Sequence, residues 1–365
     1  MSKIRVGLLF GGKSAEHEVS LQSAKNILAA LDKNQYEVVL IGIDKGGKWR
    51  WSQELNLLNE NDPGSIQLDS GGQELAIVPG AETGQMISID GKKDLGPIDV
   101  IFPILHGPFG EDGTVQGLLK LANIPFVGAG VLGSAVGMDK DVMKRLLKAD
   151  NIPIADFLTF TYADKGSIDY GQITDRLGLP VFVKPANLGS SVGISKAYDR
   201  AGLEKAVHYA FQYDTKIVIE ENIQGRELEC SVLGNESPMA SLPGEVLPQT
   251  DFYSYEAKYI DENGALLEIP AKLPDEKTRE VQQLAIRAYR SLCCEGLARV
   301  DLFLRENGEV LVNEINTLPG FTRISMYPKL WEASGLPCKE LLDQLIRFAL
   351  ESFQREQELK TNVEK

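Results

Sequence analysis

The stretch ARVDLFLRENGEVLVNEIN, residues 298–316, constrains the fold of this chain more than any other. Two runs that alternate apolar and polar residues flank Asn307-Gly308, a strong signal for a hairpin with a two-residue turn. Successive side chains of a strand point to opposite faces. The sequence therefore predicts a β-hairpin with one apolar face. That face carries Val300, Leu302, Leu304, Leu311 and Ile315.

The opposite face of this hairpin is predicted to be charged. With a turn at Asn307-Gly308, Asp301 lies opposite Glu314, and Arg299 lies opposite Asn316. All four side chains then share one face, together with Phe303 and Val312. Two carboxylates and an amide oxygen on one face form a cluster of hard oxygen ligands, which suits one or two Mg²⁺ ions. Surface ion pairs across the strands are the alternative for such a face.

Length, charge and hydropathy restrict the class of protein. At 365 residues, the chain is long enough for two or three domains. A formal net charge of −14 with no basic stripe argues against a nucleic-acid partner. The sequence contains neither a long apolar run typical of a membrane span nor an initial signal peptide, and its four cysteines match no zinc-site spacing or disulfide framework. We expect a cytoplasmic protein without a membrane partner.

The order of predicted elements favours an α/β (α+β) fold with three domains. Residues 1–128 alternate strands and helices, ending in a short strand at 124–128, which is typical of a parallel sheet with covering helices. The polar stretch 49–96 is predicted to be an insertion with weak β structure. Residues 129–223 mix helices with strands, and residues 224–365 are rich in strands and end in an amphipathic helix.

Three glycine-rich loops are candidates for anion or substrate binding. In KPANLGSSVG, Lys184 ends a strand and Gly189-Ser190-Ser191 follow, so backbone N–H groups and an ammonium group are available to a phosphate. The GK[ST] ending of a Walker A loop is missing, and such a loop alone is more often an ordinary turn. FGGKSAEHEVS with Glu16 and HGPFGEDG with His106 each join a strand to a helix, the usual position of a ligand crevice in a parallel sheet.

These stretches together resemble the ATP-grasp enzymes and, among them, the D-alanine–D-alanine ligases in their long form. The resemblance covers almost the whole chain and includes GGKSAEHEVS, HGPFGEDGTVQG, GMDK, KPANLGSSVG, IEENIQGRE, YEAKY, ARVDLFL and NEINTLPGFTRISM. It implies a three-domain ATP-grasp fold and the ATP-dependent joining of two D-alanines through an acyl phosphate, for peptidoglycan synthesis. It also implies Mg²⁺, with Mn²⁺ as a substitute, and a homodimer.

The resemblance assigns substrate and catalytic roles to nine residues. Glu16 would hold the ammonium group of the first D-alanine near His106, and Ser190 and Tyr259 would form a hydrogen-bonded network with Glu16. The remaining assignments concern the oxyanion and the second substrate. Arg299 and the backbone N–H of Gly320 would stabilise the oxyanion, and Ser325, Lys258 and Met326 would bind the second substrate.

The nucleotide and metal sites implied by the resemblance lie in the second and third predicted domains. Lys140, Lys184, Gly189 and Ser191 would contact the phosphates of ATP. Glu220, Glu221, Ile223 and Glu227 would line the adenine and ribose. Glu221 departs from a lysine common in relatives, but the resemblance implies that this position uses its backbone toward adenine. Asp301, Glu314 and Asn316 would hold magnesium.

Two functional alternatives remain open at this stage. The same fold could use D-lactate or D-serine as the second substrate, although Tyr259 in YEAKY resembles the group that forms dipeptides. A non-catalytic regulator that binds ATP is the second alternative, but no expected metal ligand is missing and Arg299 is present. The polar, tyrosine-rich segment 249–265 is predicted to be a lid over the site, since an acyl phosphate must be kept from water.

Overall fold

The computed structural model describes residues 2–52, 58–62, 65–68, 72–80, 85–90, 95–248 and 265–360. The helices are α1 His17–Ala30, α2 Thr114–Leu121, α3 Val131–Met138, α4 Lys140–Ala149, α5 Tyr170–Leu177, α6 Arg200–Ala210, α7 Asp275–Ser291, α8 Met326–Ala333 and α9 Cys338–Gln357. The strands are β1 Ile4–Gly11, β2 Tyr36–Ile43, β3 Trp49–Ser52, β4 Leu58–Asp62, β5 Ser65–Leu68, β6 Gln73–Ile77, β7 Met86–Ser88, β8 Val100–Leu105, β9 Phe157–Thr161, β10 Val181–Pro185, β11 Ser195–Ala197, β12 Lys216–Glu221, β13 Gly225–Leu233, β14 Met239–Ala240, β15 Gly244–Pro248, β16 Ala265–Glu268, β17 Leu297–Arg305 and β18 Val310–Asn316.

The first sheet has the order β7-β6-β3-β2-β1-β8. Its centre, β2-β1-β8, is parallel, which confirms the prediction for the N-terminal region. The stretch 49–96 adds β3, β6 and β7 as antiparallel strands at one edge. The short strand predicted at 124–128 is wrong, because only Phe126 forms a single bridge, to Ile101. A strand there would need a continuous ladder of pairs, and the segment instead leaves the sheet edge after one.

The core of the first sheet is built from both ends of the chain. Val6, Leu8 and Phe102 on β1 and β8 pack in one cluster with Tyr327 of α8 and Leu345 of α9. The C-terminal helices therefore cover a face of the N-terminal sheet and supply apolar surface that the first 128 residues lack. The three predicted domain ranges remain a prediction, but each range contains all the strands of one larger sheet, and the first also contains the two-stranded sheet β4-β5.

The second and third sheets contain the nucleotide and metal residues named by the sequence. The second is antiparallel with the order β11-β10-β12-β9, and the third has the path β16-β15-β13-β17-β18 with β14 paired to β13. Helix α4 precedes the second sheet in the chain but packs on the third, because Met143 and Leu147 belong to the core cluster around β17 and β18. Helix α4 thus presents its other side to the space between the two sheets.

The hairpin of β17 and β18 has the predicted pairs at the site but a different turn. Asp301 pairs with Glu314, and Arg299 pairs with Asn316, as predicted. The loop is one residue longer than predicted: Arg305 N donates to Glu309 O at 2.9 Å, and Gly308 has a φ of +86°. That left-handed conformation suits glycine, and such three-residue loops are a common hairpin class.

A second irregularity restores the register. The pairing shifts by one residue between Asp301 and Leu302, so the extra loop residue is offset by a bulge in β18 before the charged end of the hairpin. The shift changes which face two residues occupy. Val312 pairs with Leu302 in the apolar core, and Leu311 pairs with Phe303 on the charged face. The prediction that placed Val312 with the charges and Leu311 in the core is therefore wrong.

Within the described ranges, no helix is both long enough and apolar enough to cross a membrane.

Candidate active site

The candidate site lies where the second and third sheets face each other, with α4 between them. Lys140 at the start of α4 has its Nζ atom 3.6 Å from a Glu314 carboxylate oxygen on β18. Glu227 on β13 and Glu314 both act electrostatically on Lys184 of β10. Residues from two sheets that the sequence assigned to ATP and to a metal are thus brought within reach of one ligand.

Glu16 lies at the first turn of α1 and joins the N-terminal region to the glycine-rich loop. Its side chain is buried, and Ser190 Oγ donates a hydrogen bond to one of its carboxylate oxygens. The second oxygen lies against the backbone, since a side chain at Gly107 would approach it to 3.0 Å and one at Gly189 to 3.5 Å. The structure therefore brings together Glu16 and Ser190 from stretches that are far apart in the sequence.

His106 is buried beside Glu16, as expected from the resemblance. Burial lowers the pKa of His106, while the nearby Glu16 carboxylate raises it and the Arg299 guanidinium lowers it. The imidazole therefore lies close enough to both the N-terminal carboxylate and the hairpin guanidinium to be influenced by each. The N-terminal region and the hairpin of the third sheet therefore meet at this point.

Glu111 is a buried acid at this convergence that the sequence reasoning did not select. Burial and the charge of Glu16 raise the pKa of Glu111 to about 8, although a hydrogen bond from the Gly107 N–H opposes the shift. That bond measures 2.5 Å. The signal was available, because Glu111 is the acid of HGPFGEDG, four residues after the glycine that it binds.

The loop after β10 contains two consecutive residues with a left-handed backbone. Ser190 and Ser191 have φ values of +53° and +60°, which non-glycine residues seldom adopt and which strain the backbone at functional sites. Lys140 Nζ donates to Leu188 O at 2.6 Å, and its backbone N–H donates to Ala186 O at 2.9 Å. The start of α4 is thereby attached to the loop that contains Gly189.

The face of the second sheet toward the site combines charge with aromatic rings. Phe182 and Lys184 lie two residues apart on β10, and Phe182 pairs with Glu220 on β12. Phe157 on β9 pairs with Glu220 from the other side. Neither ring was selected from the sequence, although their alternation with Lys184 and Glu220 places them on the same face. Flat apolar rings beside a buried carboxylate and a lysine suit a purine base with an amino group.

Glu220 is shared by two lysines. Lys184 Nζ donates to one of its oxygens at 2.8 Å, and Lys144 Nζ of α4 lies 3.3 Å from the other. Both lysines lower the pKa of Glu220, and the paired carboxylate raises that of Lys184. Lys144 was missed, although it follows Lys140 by four residues and so shares its face of the helix.

Glu221 points away from this pocket. Its carboxylate binds Arg305 on β17 at 3.1 Å and accepts from Asp156 N at 2.8 Å. The carboxylate is thus engaged away from the pocket, and the backbone role expected for Glu221 stays a prediction. Ile223 follows β12 in the connection to β13, and Glu227 pairs with Phe303 on the face of the third sheet that carries Asp301.

Arg299 and Asp301 are paired on the charged face of the hairpin. Arg299 donates two hydrogen bonds of 2.7 Å to Asp301, one from Nε and one from NH2. Glu229 on β13, another residue not selected from the sequence, lies 3.0 Å from the same Nε. Glu229 follows Glu227 by two residues, so the strand period could have placed it on this face. The guanidinium is therefore oriented by two carboxylates.

The donor set fits a hard divalent cation only with a substrate's help. Asp301 and Glu314 are opposite each other, and Asn316 Oδ1 accepts from Leu318 N at 3.1 Å with a lone pair remaining. Among the described residues, no group of three histidine, cysteine or acidic side chains is close enough to hold a metal. Two carboxylates and one amide match Mg²⁺, which takes few protein ligands together with phosphate oxygens.

Gly320 and Ser325 lie in one loop that is attached to α1. Thr322 N donates to Ser325 Oγ at 2.9 Å, and a side chain at Gly320 would approach that oxygen to 2.9 Å. Phe321 N donates to Ser23 Oγ at 3.1 Å, which fixes the loop beside the helix that starts after Glu16. Met326 is buried against Val246 and Leu330, so its backbone, at the first turn of α8, is the part available to a substrate.

Two predicted site residues lie outside the described residues. These are Lys258 and Tyr259, within the segment predicted to be a lid. Their roles and the lid stay predictions.

The chain is similar to known proteins over its whole length. The chain matches the family models for the D-ala D-ala ligase N-terminus over residues 5–129 and C-terminus over residues 146–347. It is 57% identical to a D-alanine–D-alanine ligase of Shouchella clausii, with 100% of this chain and 99% of that protein covered. It is 52% identical to D-alanine–D-alanine ligase A of Escherichia coli over the full length of both.

Solved structures give the same result for the fold. The D-alanine-D-alanine ligase from Coxiella burnetii has a TM-score of 0.86 at 41% identity, with 98% of this chain and 97% of that chain covered. A D-Ala:D-Ser ligase from Enterococcus faecalis has a TM-score of 0.84 at 33% identity, with 95% and 100% covered.

Proposed function

The chain belongs to the D-alanine–D-alanine ligase family and is a ligase that forms D-alanyl-D-alanine, and we propose that it does so at the expense of ATP through an acyl phosphate. A carboxylate is a poor acyl donor, and phosphorylation supplies the leaving group that the second amine displaces. The product serves peptidoglycan synthesis. ATP and the two amino acids are the small-molecule partners.

One observation carries this proposal: a lysine-rich face and an acidic face meet beside Glu16. Lys140 is bonded to the loop that contains Ser190, and it also lies 3.6 Å from Glu314. Ser190 in turn is bonded to Glu16. A phosphate held by Lys140 would therefore lie between the candidate metal ligands and the candidate amino-acid site, as transfer from ATP to a carboxylate requires.

Glu16 is proposed to hold the first D-alanine. Its buried carboxylate suits the ammonium group of an amino acid, and Ser190 fixes its orientation. His106, whose pKa burial lowers, lies beside it as a neutral hydrogen-bonding group. We propose that Tyr259 of the lid extends this network when the site closes.

Arg299 and the Gly320 N–H are proposed to stabilise the oxyanion of the tetrahedral intermediate. Preorganised donors aimed at developing charge are often the largest single contribution to such catalysis. Asp301 and Glu229 hold the guanidinium in place, and Ser325 and Lys258 bind the carboxylate of the second D-alanine.

Asp301, Glu314 and Asn316 are proposed to hold up to two Mg²⁺ ions, which Mn²⁺ can replace. A bound divalent ion supplies charge neutralisation and orientation of the transferred phosphoryl group. The lysines act beside it: Lys140 and Lys184 bind phosphate oxygens, with the backbone of Gly189 and Ser191. Glu220 accepts from the adenine amino group. The nucleotide is completed by Glu221, Ile223 and Glu227.

The proposed setting is the cytoplasm, where ATP is available, and the proposed assembly is a homodimer. Both rest on the family to which the chain belongs.

The test is phosphate release from Mg-ATP by the purified protein with D-alanine, L-alanine, D-serine, D-lactate or no acceptor, with products identified by mass. We expect release that requires D-alanine and yields D-alanyl-D-alanine. Release without a dipeptide would retain the ATP site and overturn the substrate. Absence of release from folded protein that binds ATP would favour a regulator.

D-serine is the second candidate acceptor, because the D-Ala:D-Ser ligase from Enterococcus faecalis shares the fold at 33% identity. A higher rate with D-serine than with D-alanine in the same assay would establish this alternative.

A further inference from the structure

Lys144 has no role in the reaction proposed above, although its ammonium group lies at the site. Its side chain is 1% exposed, and Nζ is 3.3 Å from Glu220, whose side chain is 3% exposed. An ion pair removed from water contributes little stability compared with apolar residues of the same volume. Stability alone is therefore a weak reason for a lysine at this position.

The pairing around Glu220 is asymmetric. Lys184 binds one carboxylate oxygen at 2.8 Å, whereas Lys144 lies nearest the other. Two ammonium groups thus share a single carboxylate, which leaves one positive charge in excess. An excess of positive charge is expected where a polyphosphate binds, but only one of the two lysines is free to approach it.

The two lysines differ in how they are held. Lys144 belongs to α4 between Met143 and Leu147, which are fixed in the core of the third sheet. Lys184 lies near the end of β10, just before the loop that contains Gly189 and Ser190, and its side chain is 11% exposed. The charge of Glu314 on the facing sheet already acts on Lys184. Lys184 is therefore the lysine that can turn toward a phosphate, while Lys144 stays in place.

Among the described residues, the remaining neighbours of Glu220 supply no replacement charge. Glu220 lies on β12, where Phe182 of β10 flanks it on one side and Phe157 of β9 on the other. The acidic groups that act on Lys184 from the third sheet, Glu227 and Glu314, are of the same sign as Glu220. If Lys184 turned to a phosphate and Lys144 were absent, Glu220 would be a buried carboxylate without a counter-charge. Such a group takes up a proton and then ceases to be an ionised acceptor for the adenine amino group.

We propose that Lys144 is the permanent counter-ion of Glu220, a positioning residue that keeps this carboxylate ionised for the base and releases Lys184 to bind phosphate. The inference rests on the proposed function, because that function assigns Glu220 to adenine and Lys184 to phosphate. It explains why the site has one more lysine than ATP contacts require.

The experiment compares four proteins: wild type, Lys144→Met, Glu220→Gln and the double variant Lys144→Met/Glu220→Gln. For each, KM for Mg-ATP, KM for D-alanine and kcat are measured, together with the melting temperature. We expect Lys144→Met to raise KM for ATP about 10- to 100-fold, the effect of leaving a charged group unpaired. Its kcat at saturating ATP and its KM for D-alanine should stay near the wild-type values.

The double variant separates neutralisation from packing. If Lys144 acts by neutralising Glu220, its loss should matter much less once Glu220 carries no charge, so the double variant should bind ATP better than the product of the two single effects. Multiplicative effects in the cycle would show that Lys144 acts independently of Glu220 and would overturn the proposal. The proposal would also be overturned if Lys144→Met lowered kcat and raised KM for ATP and for D-alanine by similar factors.

Lys148→Met is the matched control, since Lys148 is exposed one turn further along α4. It should leave KM for ATP unchanged. If Lys144→Met fails to fold, the double variant decides: recovery of folding and ATP binding supports the proposal, and continued unfolding makes Lys144 a packing residue. If the wild type does not bind ATP, the proposed cofactor is wrong, whereas the thermal stabilities of the four proteins still measure the pairing.

Discussion

On the second sheet the charged side chains at the site are almost fully buried, whereas on the third sheet they keep contact with solvent. Glu220 is 3% exposed, and Glu314 on the facing strand is 32% exposed. Buried charges must be paired in the free protein, because desolvation is costly without a partner. Exposed carboxylates can stay hydrated until a cation and phosphates bind. Under the proposed function, the base would bind on the second sheet, the dry side, and the reacting groups would lie on the third sheet, the wet side.

Arg299→Lys should have the largest effect on turnover, because it alters the wet side at the oxyanion. The lysine keeps the charge but loses the two parallel hydrogen bonds that hold the guanidinium. We expect kcat to fall about 10²- to 10³-fold, the range for loss of an oxyanion donor. Steady-state kinetics with saturating ATP and D-alanine measure it. Arg200→Met, at an exposed position of α6, is the control, and near-normal kcat for Arg299→Lys would remove Arg299 from the oxyanion site.

Glu220→Gln should weaken folding as well as ATP binding, because it changes the dry side. It leaves Lys144 and Lys184 buried without a carboxylate, and breaking a buried pair costs about 3–5 kcal/mol. Urea unfolding followed by circular dichroism gives the free energy of unfolding. A loss below about 1 kcal/mol, the size typical of an exposed pair, would contradict the contrast between the two sheets.

Glu314→Gln is the counterpart on the wet side. We expect turnover to fall about 100-fold, with a higher Mg²⁺ requirement, because a carboxylate ligand is lost. The free energy of unfolding should barely change, since the side chain keeps contact with water. Glu309→Gln, at an exposed position next to the turn of the same hairpin, should leave both quantities unchanged. An unfolded Glu314→Gln protein would instead make this carboxylate structural.

The raised pKa of Glu111, a buried acid beside Glu16, predicts that the free energy of unfolding depends on pH. Folding raises the pKa of Glu111 from 4.5 to about 8, so the folded state binds a proton that the unfolded state has already lost between these values. The contribution of Glu111 to stability is therefore fully present below pH 4.5 and is lost as the pH rises toward 8, by up to about 1.4 kcal/mol per pH unit. Glu111→Gln should flatten this part of the profile of unfolding free energy. An unchanged slope would show that Glu111 is ionised in the folded protein.

Tyr259→Phe should have the smallest effect, on the choice of acceptor. If Tyr259 joins Glu16 and Ser190 in the closed site, the ratio of D-lactate to D-alanine used by the variant should rise a few-fold. Competition between the two acceptors measures this ratio. Unchanged kinetics and selectivity would exclude Tyr259 from the network.

Strand alternation and the Asn-Gly turn signal predicted the residue pairs at the charged end of the hairpin. The structure contains two irregularities, one in the turn and one in β18, whose effects on the pairing cancel. Asp301 and Glu314 are paired as expected, yet the turn has one residue more than expected and a bulge in β18 removes the offset. Val312, next to the bulge, donates its N–H to Pro153 O at 2.8 Å, outside the hairpin. A prediction made from the hairpin's own residues cannot include that contact, and it assigned Val312 and Leu311 to the wrong faces.

Three of the residues that sequence reasoning missed lie on faces that it could have predicted. Lys144, Phe182 and Glu229 lie one helical turn or one strand period from residues that were selected. The burial of Lys144 was not predictable, because it depends on which sheet α4 packs against. A lysine on an amphipathic helix is usually solvated, and only the position of α4 between two sheets makes Lys144 a buried ion.

The sequence by itself determined the chemical groups and their local order: the glycine-rich loop after Lys184, the acidic pairs of the hairpin and the family to which these motifs belong. Alternation in strands and periodicity in helices are local properties, which is why they can be read from the chain. Only the tertiary structure decided which groups meet. Glu16 and Ser190 are 174 residues apart, and their hydrogen bond forms because separate sheets pack around a common core.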